Sequence, residues 1–359
     1  MATSSEIATT VNTTNYLSTT NHQSNPCVTI SYRFIVFIII AYTVICITGF
    51  ILNSLAFWVY FCHIPSSNSI IVYLKNLVIA DSLLVLSLPI KILKDSESIP
   101  TRNLNNIYCN FVACIFYLNI YSSICFLGYI AAIRYLKIVR PLKVHAFQNL
   151  KTAKRLSLGT WGVLIFVGIL FVLLVNKEKQ SMPANSHICI KAGQEQETIY
   201  ASSHIAALIT FVCVLVGLCF FYVQISRQLH RPPSTQSLIK QTKAKNNILI
   251  LLAVFMVCFV PYHIVRLPYI LSQTNFIKDC YWKTILYYAK ESSLLLSTLN
   301  SCFDPVIYFL FCKAFRSKLG LDKKAEELEL NEVSGPANNS NIALDHSPHC
   351  HVNSRRTKV

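Results

Sequence analysis

The chain has 359 residues, of which 53% are hydrophobic and only 13% charged, with a mean hydropathy of +0.46. A single soluble core of this length has no room for that much apolar surface, which excludes an ordinary globular domain and implies a protein integral to a bilayer. The formal net charge of +16 suits anionic lipid and an acidic partner, and its cations flank apolar stretches instead of forming one basic domain, which argues against nucleic acid.

Taken in chain order, residues 1–32 hold no Lys or Arg and no apolar signal core, so they read as an extracellular tail that the first span moves outward. Asn12-Thr13-Thr14 is a glycosylation sequon on that tail. Crossing ~30 Å of hydrocarbon takes about 20 apolar residues as a helix. Seven segments meet that rule, roughly 33–61, 70–94, 107–137, 155–176, 199–226, 246–272 and 282–311, without a repeat that would suggest two inverted halves. An odd number puts the two ends on opposite sides. The loop after segment three carries Arg134, Lys137, Arg140, Lys143, Lys151, Lys154 and Arg155, and the loop after segment five carries Arg227, Arg231, Lys240, Lys243 and Lys245. These are the retained, cytoplasmic loops, so the N-terminus is outside and the expected location is the plasma membrane. Past segment seven, Lys313-Ala-Phe-Arg-Ser-Lys318-Leu is basic and amphipathic and should lie on the inner membrane surface. The expected fold is thus an all-α membrane protein: a seven-transmembrane helix bundle over 33–311, a short amphipathic eighth helix over 312–321 and a disordered cytoplasmic tail over 322–359. Ser334, Ser340 and Ser347 are phosphorylation candidates on that tail.

Four cysteines fall at outer positions, Cys27, Cys109, Cys189 and Cys280. An even number in an oxidising compartment suggests two bridges, and topology favours Cys109 with Cys189, which leaves Cys27 with Cys280. The other ten read as small buried hydrophobes, with Cys312 or Cys350 as acylation candidates.

Inside the spans, Asp81 is a carboxylate near the bilayer middle, where an unpaired charge is untenable; it needs a cation or a hydrogen-bond cluster. Asn119 and Ser123 share a face of segment three, and Asn300, Ser301 and Asp304 cluster on segment seven. Pro261 and Pro305 remove backbone hydrogen bonds and give segments six and seven places to pivot. Gly49 with Asn53, Leu77 to Asp81, Arg134-Tyr135, Trp161, Tyr222, Phe255 to Pro261 and Asn300 to Tyr308 fall one group per segment. Together they resemble the rhodopsin-like G-protein-coupled receptors over residues 30–320. That resemblance implies a structural sodium ion around Asp81, with Asn119, Ser123, Asn300, Ser301 and Asp304 lining its pocket; a water-filled polar cluster is the alternative. No other cofactor is implied. It also implies a switch built from Phe259, Pro261, Pro305 and Tyr308, and coupling of Arg134, Tyr135, Tyr222 and the basic loops to a heterotrimeric G protein. Three departures stand out: Ile133 replaces the acid that normally precedes the arginine, Phe259 replaces a tryptophan, and Leu170 and Val214 stand where prolines are usual. Without the acid, the resting state loses a partner for Arg134 and basal signalling should rise.

The outer ends carry the ligand chemistry. Arg266 and His263 follow Pro261 and should face the outer cavity; Lys290 and Glu291 begin segment seven, Lys91 ends segment two, and Tyr117 lies about two turns below Cys109. Several cations with an aromatic suit a multiply anionic ligand that carries a flat ring. Phe116-Tyr117, His263 to Tyr269, Ser272-Gln273-Thr274 and Lys290-Glu291-Ser292 look like the metabotropic purinergic receptors, in the inhibitory-G-protein branch that responds to ADP or UDP-sugars. The resemblance implies that Tyr117, Arg266 and Lys290 contact base and phosphates, with His204 and Lys91 nearby. His204 has the alternative of a satisfied core residue, and Arg266 that of an ion pair with Glu291 or Asp279. A rival ligand is an anionic lysophospholipid-like lipid mediator. A transporter needs a continuous polar path, which Ala206 to Phe221 does not offer, and a light-driven pump needs a lysine deeper in segment seven than Lys290. An enzyme is disfavoured, because no nucleophile, base and orienting group fall together, and tail residues His346, His349 and His351 lack a scaffold for metal.

Overall fold

The computed structural model describes residues 28–96, 102–139, 149–179, 196–229, 235–273, 277–312 and 315. The sequon at Asn12, Cys27, Cys189, Cys350, the tail serines and most of the expected eighth helix lie outside the described residues; of that helix only Cys312 and Phe315 are described, both buried. Seven rods run back and forth. α1 is Tyr32–Trp58 with a terminal π turn, Val59–His63; α2 is Ser69–Asp95; α3 is Ala113–Val139, led in by Arg102–Ile107 and the π turn Tyr108–Val112. α4 is Leu150–Lys179, α5 Gln196–Leu229, α6 Thr235–Gln273, and α7 comprises Cys280–Thr298 and Asn300–Phe311. One end of the bundle carries Cys109 and Cys280, both disulfide-bonded; the other carries Arg134 and Lys245. We call these the disulfide end and the basic end.

Among the described residues, six helices are long and apolar enough to cross a membrane: Tyr32–His63, Ser69–Asp95, Leu104–Val139, Leu150–Leu173, His204–Arg227 and Lys245–Ser272. The seventh, α7, carries Lys283, Lys290, Glu291 and Asp304 on a helix otherwise of membrane length. It packs along α6 and, through its second half, against α1 and α2, so those charges are turned inward. The outward faces of α1, α4 and α5 are predominantly apolar. Phe37, Ile40, Val44, Ile47 and Ile51 of α1, Val163, Phe166 and Ile169 of α4, and Ile205, Ile209, Val212 and Val216 of α5 are all exposed at helical spacing. In water such a belt would be an aggregation surface; against acyl chains it is the expected solvent-facing side. α3 is the central rod, touching α2, α4, α5, α6 and α7.

Side chains repair the backbone where the helices begin and bend. Asn68 caps α2 by accepting from Ile70 N at 2.9 Å, Asn149 caps α4 through Lys151 N at 3.0 Å, and Asp279 caps α7 through Tyr281 N at 2.9 Å. Pro305 has no N–H, so the Ser301 carbonyl one turn earlier loses its helical partner; Asn53 of α1 supplies one from Nδ2 at 2.8 Å. Pro89 frees the Val85 carbonyl in the same way, and Cys46 Sγ approaches it at 3.9 Å. α7, read from sequence as one segment, breaks at Leu299. The Ser301 hydroxyl takes the Thr298 carbonyl at 2.9 Å, and Cys302 N bonds Leu299 O at 2.9 Å, a tighter turn than the α pattern.

Candidate functional site

At the disulfide end, Tyr117 of α3, His204 of α5 and Arg266 of α6 meet. The Arg266 guanidinium donates to the Tyr117 hydroxyl, lies 3.2 Å from His204 Nε2, and sits 5.3 Å from the centre of the Tyr117 ring and 5.9 Å from that of Tyr262. Phe171 of α4 backs Tyr117 at 6.0 Å between centroids. His204 is therefore in contact with the predicted cluster, not isolated in the core. The three side chains are half-buried, with a planar cation held by aromatic and imidazole groups.

A second charged group lies between α2 and α7. Lys91 is 2% exposed and bonds Asp95 at 2.5 Å and Glu291 at 3.5 Å; Lys290 bonds Glu291 at 2.5 Å, and Lys94 reaches Asp95 at 3.8 Å. Tyr42 and Tyr108 lie under the Lys91 ammonium at 5.4 and 5.7 Å. Lys290 lies 5.5 Å from the ring of Tyr269, three residues beyond Arg266 on α6. Three ammoniums thus face two carboxylates, and Glu291, weighed from sequence as a partner for Arg266, bridges Lys91 and Lys290. Asp279, the other carboxylate weighed for Arg266, caps its own helix. Sequence reasoning missed Asp95 and Tyr42. Asp95 was within reach of it, being four residues after Lys91 and so on the same helical face; nothing in the local sequence distinguishes Tyr42 from the other apolar residues of α1.

His263 is buried instead of opening on the cavity. Its ring stacks on Phe211 with centroids 3.9 Å apart, and Nδ1 lies 2.8 Å from the Phe259 carbonyl. Phe211 stacks in turn on Phe255 at 5.7 Å, which meets Phe259 edge-on at 5.2 Å. Tyr121, one turn from Tyr117 on α3, touches His263 at 5.9 Å. Tyr262, over whose ring Arg266 lies, meets His263 edge-on at 5.2 Å, so a run of rings connects the Arg266 cluster to Phe259 beside Pro261.

Deeper still, Asp81 accepts from Asn119 Nδ2 and from the Tyr308 hydroxyl, each at 2.9 Å, and Asp304, beside it in the same buried cluster, accepts from Asn300 Nδ2 at 2.9 Å. Asp81, Asn119, Ser123, Asn300, Ser301 and Asp304 are all 1% exposed or less. Asn119 Oδ1, Ser123 Oγ, Asn300 Oδ1 and Asp304 Oδ1 are buried without a hydrogen-bond partner. Two adjacent buried carboxylates surrounded by unsatisfied oxygens fit a hard cation of low charge. Among the described residues, no group of three or more His, Cys, Asp or Glu is placed to hold a metal ion.

Toward the basic end, Tyr308 meets Tyr60 edge-on at 5.6 Å, and Phe315 stacks on Tyr60 at 5.5 Å. Tyr135, next to Arg134, stacks on Phe221 at 4.9 Å, and Lys245 of α6 sits 6.0 Å from the ring of Tyr222. Trp161 Nε1 donates to Asn76 Oδ1 at 2.8 Å, joining α4 to α2.

Residues 52–308 match the 7 transmembrane receptor (rhodopsin family). The chain belongs to this family. As a rhodopsin-family receptor it is not an enzyme, and it is a multi-pass membrane protein. It is similar to purinoceptor 14 of Bos taurus, at 38% identity over 281 residues covering 77% of this chain and 82% of that one. It is also similar to purinoceptor 13 of Homo sapiens, at 36% identity over 306 residues covering 84% and 86%. The G-protein coupled receptor 87 of Mus musculus is 37% identical over 288 residues, covering 78% of each chain.

Proposed function

We propose that this receptor binds an extracellular nucleotide of the ADP or UDP-sugar type and signals through an inhibitory heterotrimeric G protein, with its N-terminus outside the plasma membrane. The supporting observation is the Arg266 cluster: a guanidinium from α6 held against Tyr117 and His204, with the Lys290 and Lys91 ammoniums of the α2–α7 network at the same end. A guanidinium forks onto phosphate oxygens, an ammonium adds a point charge, and an aromatic ring offers a face to a base. The relatives named purinoceptors 13 and 14 favour the same ligand class. Disulfides at Cys109 and Cys280 agree with an oxidising compartment on that side, and the cations at the other end with the retained one. In the same reading the Asp81 cluster holds a sodium ion, and Arg134, Tyr135 and Tyr222 meet the G protein.

The test is a panel of ADP, UDP-glucose and lysophosphatidylserine on cells expressing the receptor, read as cyclic AMP. A nucleotide should lower it, and Arg266→Gln or Lys290→Gln should weaken the response roughly tenfold or more at unchanged surface level. Nucleotide potency unaltered from the parent in both variants overturns the assignment, and a response to lysophosphatidylserine alone moves it to a lipid mediator.

A further inference from the structure

The bend of α6 at Pro261 is tied to α7 by one side chain that neither the ligand reading nor the cation reading uses. Ser297 of α7 donates its hydroxyl proton to the Cys258 carbonyl of α6 at 2.9 Å; Ser297 is 1% exposed and Cys258 is fully buried. The placement is unusual for its helix. Ser293, Thr298 and Ser301 all turn back onto carbonyls of α7 itself, at 3.0, 2.8 and 2.9 Å, which is the ordinary habit of a hydroxyl in a buried helix. Ser297 reaches across instead. Its acceptor lies in the turn that Pro261 disturbs, since the missing N–H frees the Val257 carbonyl and the ring pushes the neighbouring ones outward. The next carbonyl along, that of Phe259, is held by His263 Nδ1 at 2.8 Å. Two successive carbonyls at the pivot are therefore held by side chains, one of them from the other moving helix.

We propose that Ser297 is a positioning residue of the receptor switch: its hydroxyl clasps the Pro261 bend to α7 and holds the resting arrangement of the bundle. An α6 that swings away from α7 at this level must break that bond while its donor and acceptor are both out of water, so the clasp stabilises the resting state only. Removing it shifts the population toward the open state without touching a ligand. The inference rests on the chain signalling as its family does, and not on which ligand it takes.

The measurement is ligand-free G-protein activation by the full-length receptor, normalised to surface level, with thermal melting of the purified receptor alongside. Ser297→Ala should raise the ligand-free signal by roughly threefold to tenfold, the population change expected from losing one buried hydrogen bond. Ser297→Thr keeps the hydroxyl and should signal near the parent; Ser297→Val has the shape of the threonine without the donor and should behave as the alanine does. Equal signals from the Thr and Val variants overturn the proposal, as does a Ser297→Ala receptor whose signal stays at or below the parent level. A Ser297→Ala variant that only melts earlier marks a merely structural hydroxyl and overturns it too. If the two larger side chains fail to reach the surface, the comparison of alanine with the parent decides.

Discussion

Ile133 stands directly before Arg134 and is completely buried, in the apolar cluster that also holds Ile130 and Ala131 of α3. An aliphatic side chain there offers the guanidinium no acceptor of its own, which is the physical basis for expecting raised basal signalling. The burial also decides how the idea is tested. Ile133→Asp places a carboxylate in a dry site and should cost roughly 3 kcal/mol or more if it remains unpaired. The expected outcome is a smaller basal signal per receptor at the surface, with a melting temperature that falls by less than an unpaired buried carboxylate would cause, because the new carboxylate pairs with Arg134. A variant that melts with the parent would show that the new carboxylate reaches Arg134; a basal signal unchanged at matched surface level would remove the link between Ile133 and resting activity. Residue roles of this kind were legible where a polar group in a span demanded a partner, as at Asp81. They were not legible where the partner is apolar or aromatic: nothing local to Phe211 or Tyr42 announces that one carries the ring contact to His263 and the other lies under Lys91.

The helices themselves were legible because apolar length alone sets a span: six of the seven predicted segments fall inside continuous helical rods, and the seventh crosses the break at Leu299. Their ends were less so. α6 begins at Thr235, well before the apolar stretch near 246, because backbone hydrogen bonding continues past the hydrocarbon boundary. The break at Leu299 was not legible, since it depends on the Ser301 hydroxyl taking the Thr298 carbonyl while Cys302 N closes a tighter turn onto Leu299 O. Close approach of helices is a property of the same scale. A Cβ on Gly49 would lie 2.9 Å from Val85 Cγ2, and valine, branched at Cβ, has little freedom to move aside. Gly49→Ala should therefore push α1 from α2 and lower stability by about 1–3 kcal/mol, with Val85→Ala in the same chain recovering much of the loss. Thermal melting of the two single variants and the double variant measures it, and additive losses would show that the two side chains do not meet.

Across the whole molecule, a run of ring contacts leads from the Arg266 cluster through His263, Phe211 and Phe255 to Phe259, while α7 carries both Ser297, bonded to the neighbouring Cys258 carbonyl, and the Asp304 carboxylate of the polar core. A cation at Asp81 would sit between α2, α3 and α7 and would be held only while those helices keep their present spacing. Binding to one arrangement and not the other makes the ion a ligand of that arrangement, so it opposes any agonist that favours the open one, and the opposition is reciprocal. Replacing choline by sodium at constant ionic strength should then weaken agonist binding and lower the ligand-free signal, by roughly fivefold if the coupling is of ordinary size. Asp81→Asn keeps a polar side chain of similar shape and removes the charge that holds the ion, so its receptor should respond equally in both salts. Constant ionic strength matters, because the basic end would otherwise respond to screening alone. A sodium effect of the same size in the parent and in Asp81→Asn would place the ion elsewhere, and no sodium effect in the parent would leave the paired carboxylates to a shared proton, the remaining way for two such groups to stand together out of water.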